Sequence, residues 1–345
     1  MHHLKTKIFS FFMALVVCTT AFALPPDWPE GGLIIEPDMG RDPLVAAFQD
    51  AKKSLRISAY KLEDPTLIAA LKEAAERGIK VDVLVTRSIF KRADETEQGE
   101  TPSETLKKIG LNVHQSPEWF AQTHDKFIIV DEDYALIGTG NMGTGSFDES
   151  ADRKAERDFW ITVTNKDQLE ELERVFKADF NGEKIDLKNS LLVWSPDQER
   201  KPFLDLICSA KKSIFVYQQD IEDPVIAGAL VEAARKGIDV RLIMTPHPFS
   251  KTKDGNIPHQ EMIREAGGKA GLITHVITHA KVVLVDAGTK SEKVYLGSAN
   301  FYPPSLDENR EVGIITSDPA VTSKINAVFQ ADWKKADFTP RQPLE

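Results

Sequence analysis

Short apolar runs alternate with amphipathic stretches along this chain, and the whole alternation occurs twice. Residues 54–60, 81–86, 126–130 and 159–163 are brief segments rich in β-branched and aromatic side chains, which predicts strands. Residues 65–77 repeat apolar positions at helical spacing, open on Pro65 and stop before Gly78, which predicts a helix. Later, 213–219, 240–245, 282–285 and 312–316 predict strands again, with a second helix of the same kind over 224–236. Strand, helix and strand in that order argue for an α/β unit with a largely parallel sheet.

The second round is a copy of the first. Ala51-Lys52-Lys53-Ser54 recurs as Ala210-Lys211-Lys212-Ser213, and Glu63-Asp64-Pro65 as Glu222-Asp223-Pro224, both at an offset of 159. Ala74-Ala75 with Gly78-Ile79 returns at the same offset as Ala233-Ala234 with Gly237-Ile238. Each half is a unit of about 150 residues. A charged helix over 165–180, stopped by Gly182, closes the first unit. Residues 183–190 are the crossover, because Pro196-Asp197 already matches Pro37-Asp38. The expected division is therefore a leader over 1–23, a first unit over 24–182 and a second over 183–345. The two units are expected to form a pseudo-twofold pair with equivalent edges facing each other.

Each unit carries His-x-Lys-x4-Asp followed by Gly-[Ser/Thr]-x-Asn. The first copy is His124, Lys126, Asp131, Gly138, Thr139 and Asn141; the second is His279, Lys281, Asp286, Gly297, Ser298 and Asn300. Histidine and lysine two apart in a strand leave the same face. Asp131 lies five beyond Lys126, on the opposite face, so it is expected to hold the turn at the strand end, as Asp286 does in the second half. Residues 287–296, longer than the matching stretch of the first copy, are expected to make a longer hairpin turn. Asp158 and Glu311 occupy equivalent places where a strand opens. A carboxylate there can accept from one imidazole nitrogen, fix the tautomer and leave the other nitrogen for substrate.

These residues and spacings resemble the phospholipase D superfamily, over essentially the whole chain beyond the leader, including Gly-Ser-Ala-Asn at 297–300 and Asn-Arg-Glu at 309–311. The likeness is to the bacterial phospholipase D and cardiolipin synthase branch with two motifs in one chain. Thr139 and Asp158 stand where serine and glutamate are commoner. The resemblance implies a duplicated α-β-α sandwich with its active site between the halves, and neither metal nor other cofactor. It implies that one histidine attacks phosphorus while the other protonates the departing alcohol. By resemblance His124 is the nucleophile and His279 the acid. Lys126, Lys281, Asn141 and Asn300 would surround the phosphate oxygens, with hydroxyls of Thr139 and Ser298 as further donors.

Composition then narrows the substrate and compartment. Lys5 and Lys7, an apolar run over 8–22 and Ala21-Phe22-Ala23 read as an export signal, so the protein is expected to be secreted or periplasmic. Bulky Val17 ahead of Cys18 argues against a lipid anchor. Loss of residues 1–23 moves the net charge from −10 to −12 and leaves Cys208 as the one cysteine, so no internal disulfide is expected. The acidic balance disfavours loose binding to nucleic acid. The expected function is an exported phosphodiesterase of the phospholipase D type acting on phospholipid at a membrane surface. A secreted nuclease on the same site is the alternative. Trp119-Phe120 before the first motif can touch an acyl chain, stack on a base or pack, and packing is expected. Phe301-Tyr302-Pro303-Pro304 after the second reads as a rigid turn, His114, His247, His259 and His275 as ordinary histidines, and the acidic stretch 93–104 as a solvated loop.

Overall fold

A computed structural model describes residues 24–25, 27–89, 102–151, 153–198, 200–248 and 254–341. The expected leader over 1–23, Cys18 and most of the acidic stretch 93–104 lie outside the described residues; its last residues open a helix (Pro102–Lys108) instead of continuing a loop. The first half contributes β1 (Leu33–Glu36), β2 (Ser54–Ala59), β3 (Lys80–Val85), β4 (Asn112–Gln115), β5 (Phe127–Val130), β6 (Tyr134–Gly138) and β7 (Glu156–Val163). The second contributes β8 (Val193–Ser195), β9 (Ser213–Tyr217), β10 (Asp239–Met244), β11 (Lys269–Leu272), β12 (Ile277–Thr278), β13 (Lys281–Val285), β14 (Lys293–Gly297) and β15 (Glu311–Thr316). The sheets run β1-β7-β6-β5-β2-β3-β4 and β8-β15-β14-β13-β9-β10-β11, the same order with each strand replaced by its copy.

Within the two sheets only β2-β3-β4 and β9-β10-β11 are parallel, apart from the short β12, which runs parallel to the start of β7 across the halves. The remaining pairs are antiparallel, which corrects the expectation of a largely parallel sheet. The physical reason is loop length. A parallel pair needs a long crossover, and the turns after β5 and β13 are too short to provide one. The stretch between β13 and β14 is the longer hairpin connection that its sequence predicts.

The recurring Glu-Asp-Pro is a helix start. Asp64 accepts from the backbone N–H groups of Thr66 (3.0 Å) and Leu67 (3.1 Å) ahead of α1 (Pro65–Glu76), with Pro65 in its first turn. Asp223 does the same for α2 (Pro224–Arg235) through Val225 and Ile226. Both helices cover the outer face of their sheet. The inner faces share one apolar core, in which Phe127, Ile137 and Phe159 meet Tyr217, Val282 and Val312. Leu172 and Phe176 of α3 (Lys166–Asn181) and Ile325 and Phe329 of α4 (Pro319–Trp333) fill that core. The halves therefore meet through the faces of inner strands, not through sheet edges as expected. The apolar inner-face positions need burial that a single sheet cannot supply. Among the described residues no helix is long and apolar enough to cross a membrane, and Cys208 is an exposed free cysteine.

Two buried arginines tie the halves together. Arg310, fully buried, donates to Asp179 of α3 (2.8 Å) in the first half, and to Asp197 (2.9 Å) and the Ser195 carbonyl (3.1 Å) in its own. Arg157 repeats this with Asp332 of α4 (2.9 Å), Asp38 (2.7 Å) and the Glu36 carbonyl (2.8 Å). The matched Pro37-Asp38 and Pro196-Asp197 of the sequence are the anchors of these clamps. Trp119 and Phe120, expected to pack, lie against the Arg310 guanidinium at 4.7 and 5.3 Å from their ring centres. Removing one partner of a buried ion pair strands the other, so Asp179→Ala is expected to lower unfolding free energy by about 3–5 kcal/mol in chemical denaturation. A loss under about 1 kcal/mol would show that the clamp does not hold the halves.

Candidate active site

The chain approaches the site before its motif strands begin. Thr123 forms a bridge with Arg310 of the other half, and the backbone N–H groups of His124 (2.9 Å) and Asp125 (2.8 Å) donate to the Arg310 carbonyl. In the second copy, β12 pairs with the start of β7, and His279 (3.3 Å) and Ala280 (2.9 Å) donate to the Arg157 carbonyl. Each histidine is therefore laid along the partner half's strand, not along its own sheet. The residue after each arginine carries the carboxylate, which brings Glu311 to His124 and Asp158 to His279.

His124 Nδ1 lies 2.9 and 2.8 Å from the two Glu311 oxygens. His279 Nδ1 lies 2.9 Å from Asp158 Oδ2 and 3.2 Å from Oδ1. An ionised carboxylate only accepts, so in both pairs Nδ1 carries the proton and Nε2 is left to the cavity. Both rings and both asparagines line a cavity of about 400 Å³ between the halves, with Tyr60, Lys61, Arg153, Glu156, Gln219, Asp220, Glu222 and Tyr302 around its walls. Asn141 Nδ2 stands 3.4 Å from His279 Nε2. Lys126 and Lys281 are fully buried beneath the rings: Lys126 donates to the His124 carbonyl, and Lys281 Nζ is 3.2 Å from His279 Nε2 and from the Thr139 carbonyl.

Two expected phosphate donors are not available to a ligand. The Thr139 hydroxyl donates to Asp158 Oδ1 at 2.6 Å and accepts from Phe159 N. The Ser298 hydroxyl donates to the Val312 carbonyl (3.3 Å) and accepts from Val312 N (3.0 Å). Both residues are fully buried, so their place in the motif is structural, fixing the strands that carry the two carboxylates. The motif glycines are structural too. A Cβ at Gly138 would meet the Trp160 ring at 2.4 Å, and one at Gly297 would meet the Gly313 backbone at the same distance. Phe301-Tyr302-Pro303-Pro304 is a helix start over Pro303–Asp307 and not a simple turn, with Phe301 in the core and Tyr302 at the cavity.

The motif aspartates stand away from the rings. Asp131 accepts from the backbone N–H groups of Lys52 (2.7 Å), Lys53 (2.7 Å) and Ser54 (2.8 Å). Asp286 accepts from Lys211 (2.8 Å), Lys212 (2.7 Å) and the Ser291 hydroxyl (2.8 Å). Against its burial, these bonds hold Asp286 below the usual carboxylate range. Both residues sit at positive φ (57° and 53°), which a short polar side chain tolerates in a turn.

Burial dominates the electrostatics. It lowers His124 to about 4 despite the pull of Glu311, and lowers Lys126 to about 7 with Lys281 adding to the shift. It carries Asp158 up to about 6, against Lys281 and Thr139. Burial, then the Lys281 charge, takes His279 well below its ordinary value. Glu311 stays below the usual range, because His124 and Lys126 outweigh its desolvation. Glu156, Asp158 and His279 bring ligand-type atoms within 4.8 Å of one another. The Lys281 ammonium beside His279 already supplies a positive charge at that place. His114, His247 and His275 are engaged by the Phe180 carbonyl, Arg341 and Asp332 respectively.

A family model described as cardiolipin synthase, PLD-like domain, matches residues 44–180 and 203–333. The chain belongs to the phospholipase D superfamily. It is similar to cardiolipin synthase A of Pseudomonas putida, 24% identical over 329 residues that cover 86% of this chain and 66% of that one. The curated relatives it matches first are thus spanned over two thirds of their length or less. Among solved structures, a phosphatidylserine synthase of Haemophilus influenzae shares the fold at a TM-score of 0.65 and 13% identity, over 90% of this chain and 87% of that one. A polyphosphate kinase of Porphyromonas gingivalis shares it at 0.64 and 18%, over 91% and 52%.

Charge-assisted bonds to three backbone donors make Asp131 a structural pin. Asp131→Ala is expected to cost about 2–4 kcal/mol in denaturant unfolding, without abolishing turnover by the folded fraction. Complete loss of activity at unchanged stability would move Asp131 into the chemistry.

Proposed function

We propose that the chain cleaves phosphodiesters by way of a phosphohistidine, taking the phosphatidyl group of a phospholipid and passing it to water or to a second alcohol. One observation carries the reading: two imidazoles from different halves face one cavity, each with Nδ1 held by a carboxylate and Nε2 on the side away from it. His124 Nε2 attacks phosphorus, and the bond to the alcohol oxygen breaks with its electron pair. That oxygen takes the proton from His279 Nε2. Neutral His279 then removes a proton from water or alcohol as it attacks phosphorus and frees His124. Lys126, Lys281, Asn141 and Asn300 stabilise the charge on the phosphoryl oxygens. The likeness to cardiolipin synthases supports phosphatidyl transfer as the reaction class, and the export signal read in residues 1–23 favours water as acceptor. Against the nuclease alternative, the cavity walls carry Glu156, Asp220 and Glu222 beside Lys61 and Arg153, not a basic groove.

The assignment of nucleophile and acid has an electrostatic basis. His124 stays neutral down to about pH 4, as a nucleophile requires. Burial raises Asp158, the partner of His279, to about 6, whereas Glu311, the partner of His124, stays below the usual carboxylate range, so a proton is held more readily at the His279 pair. That proton belongs to the pair and is available to a leaving alcohol through Nε2.

The first experiment offers the purified protein phosphatidylcholine vesicles and single-stranded DNA in parallel, with His124→Ala as control. Choline release is expected, falling by about 10^4 or more in the variant. DNA cleavage alone would replace this reading with the nuclease. The second follows kcat/KM against pH. Loss of the pair's proton lowers it as pH rises through about 6, and loss of the Lys126 charge above about 7 acts in the same direction. Protonation of His124 lowers it as pH falls through about 4. A profile flat from pH 5 to 9, with chemistry rate-limiting, contradicts the pairing.

A further inference from the structure

The strands that carry the two imidazole-holding carboxylates are copies of each other, but their surroundings differ. Asp158 on β7 lies opposite Glu36 of β1, and Glu311 on β15 lies opposite Ser195 of β8. The residue ahead of each clamp arginine differs in the same sense, with Glu156 before Arg157 and Asn309 before Arg310. Alternate residues of a strand share a face, so Glu36, Glu156 and Asp158 gather at His279. The matched positions at His124 hold one carboxylate, Glu311. A Glu156 oxygen, an Asp158 oxygen and a ring nitrogen of His279 all lie within 4.8 Å of one another. Glu156 and Asn309 both line the cavity.

We propose that Glu156 is a positioning residue for the proton transfer, its carboxylate keeping the proton on His279 until the departing alcohol takes it. The inference rests on the phosphodiesterase reading and adds a residue that the two motifs do not contain. Glu156 is buried, with Oε2 accepting from the Ser146 hydroxyl at 2.7 Å and Oε1 from Arg153. The matched Ser305 of the second copy turns to Glu311 instead. Of the charges around His279, those of Lys281, Lys126 and His124 oppose a proton there, and that of Glu156 favours it. Arg153 is exposed, so water screens its charge more than that of the buried carboxylate. Glu36 acts at the same end. It is fully buried, with Oε1 accepting from Trp160 Nε1 at 2.9 Å and Oε2 without a partner. The Arg157 guanidinium goes to its backbone carbonyl. Burial, then the Asp158 charge, raises Glu36 well above the ordinary carboxylate range, with Glu156 adding and the Trp160 bond opposing. Three carboxyls with little water around them do not all ionise, so this end of the site holds protons that the other end releases.

A proton on the departing oxygen matters only where that oxygen is a poor leaving group, which separates this role from a structural one. The first turnover is followed with the whole chain in excess over phosphatidylcholine, or over the phosphatidyl ester of p-nitrophenol, whose phenolate departs without a proton. Glu156→Gln is expected to slow choline release about tenfold or more and to leave p-nitrophenol release within about twofold. His279→Ala is the control for the same pattern, and His124→Ala is expected to lose both. If Glu156→Gln slows p-nitrophenol as much as choline, or slows neither, the inference is overturned while the phosphodiesterase reading stands. No release from either ester by the unaltered chain removes that reading and the inference with it. Where Glu156→Gln does not fold, Asn309→Asp decides. A carboxylate placed at the matched position by His124 favours the charged ring, so the acidic limb of kcat/KM is expected to move up by about one pH unit. A limb that stays in place overturns the inference.

Discussion

Each imidazole is oriented by a carboxylate that belongs to the other half, and the site depends on that exchange. Neither half holds a complete histidine–carboxylate pair. Glu311 reaches His124, and Asp158 reaches His279, only because each histidine segment is hydrogen-bonded along the opposite half's strand. A small rotation of one half against the other would break both pairs together. Duplication alone does not make this site; the docking of the copies does.

Docking to that tolerance requires something more directional than an apolar interface. The shared core supplies the driving force, and apolar contact is tolerant of sliding. The arginine clamps are not. Each guanidinium meets a carboxylate from the far half and a carboxylate and carbonyl of its own, and the next residue is the carboxylate that holds the imidazole. The clamp and the orienting group are thus neighbours on one strand. Register at the interface is passed to the imidazole through a single peptide unit.

Much of this was legible in the sequence, for identifiable reasons. Strands, helix starts and the repeat were visible because β-branched runs, Asp-Pro caps and a fixed offset are local signals. The odd spacing that sets Asp131 and Asp286 away from the rings was readable because a strand has period two. The crossed pairing was not. Asp158 and Glu311 could be marked as equivalent, but which histidine each serves depends on contacts across the interface. Thr139 and Ser298 resemble phosphate donors in the sequence because a motif does not show which way a hydroxyl turns. Arg157 and Arg310 stood in plain view between residues already aligned with each other. An arginine repeated beside both carboxylates, with Asp38 and Asp197 repeated upstream, was the signal that could have found the clamps. Strand-helix-strand order overstates the parallel share of the sheet, because it carries no sign of the short turn that forces β5 and β6 antiparallel.

On the proposed reading a duplicated site faces a problem that its own symmetry creates, since one imidazole would have to be neutral while the other is protonated. The backbone cannot supply the difference, because it repeats. Side chains at a few matched positions can. His279 has Lys281 against its ring and an aspartate raised by burial, whereas His124 has a glutamate held low by its basic neighbours. The Thr139 hydroxyl bonds Asp158; Glu311 has the equivalent Ser298 beside it and takes in addition the hydroxyl of Ser305, from the helix that follows the second motif. Further out, the matched positions Lys61 and Asp220 differ in charge, and Gly143 and Tyr302 in size; Lys61, Asp220 and Tyr302 line the cavity. The order of protonation at the rings would then arise where two copies, otherwise alike, differ at positions that face the same cavity.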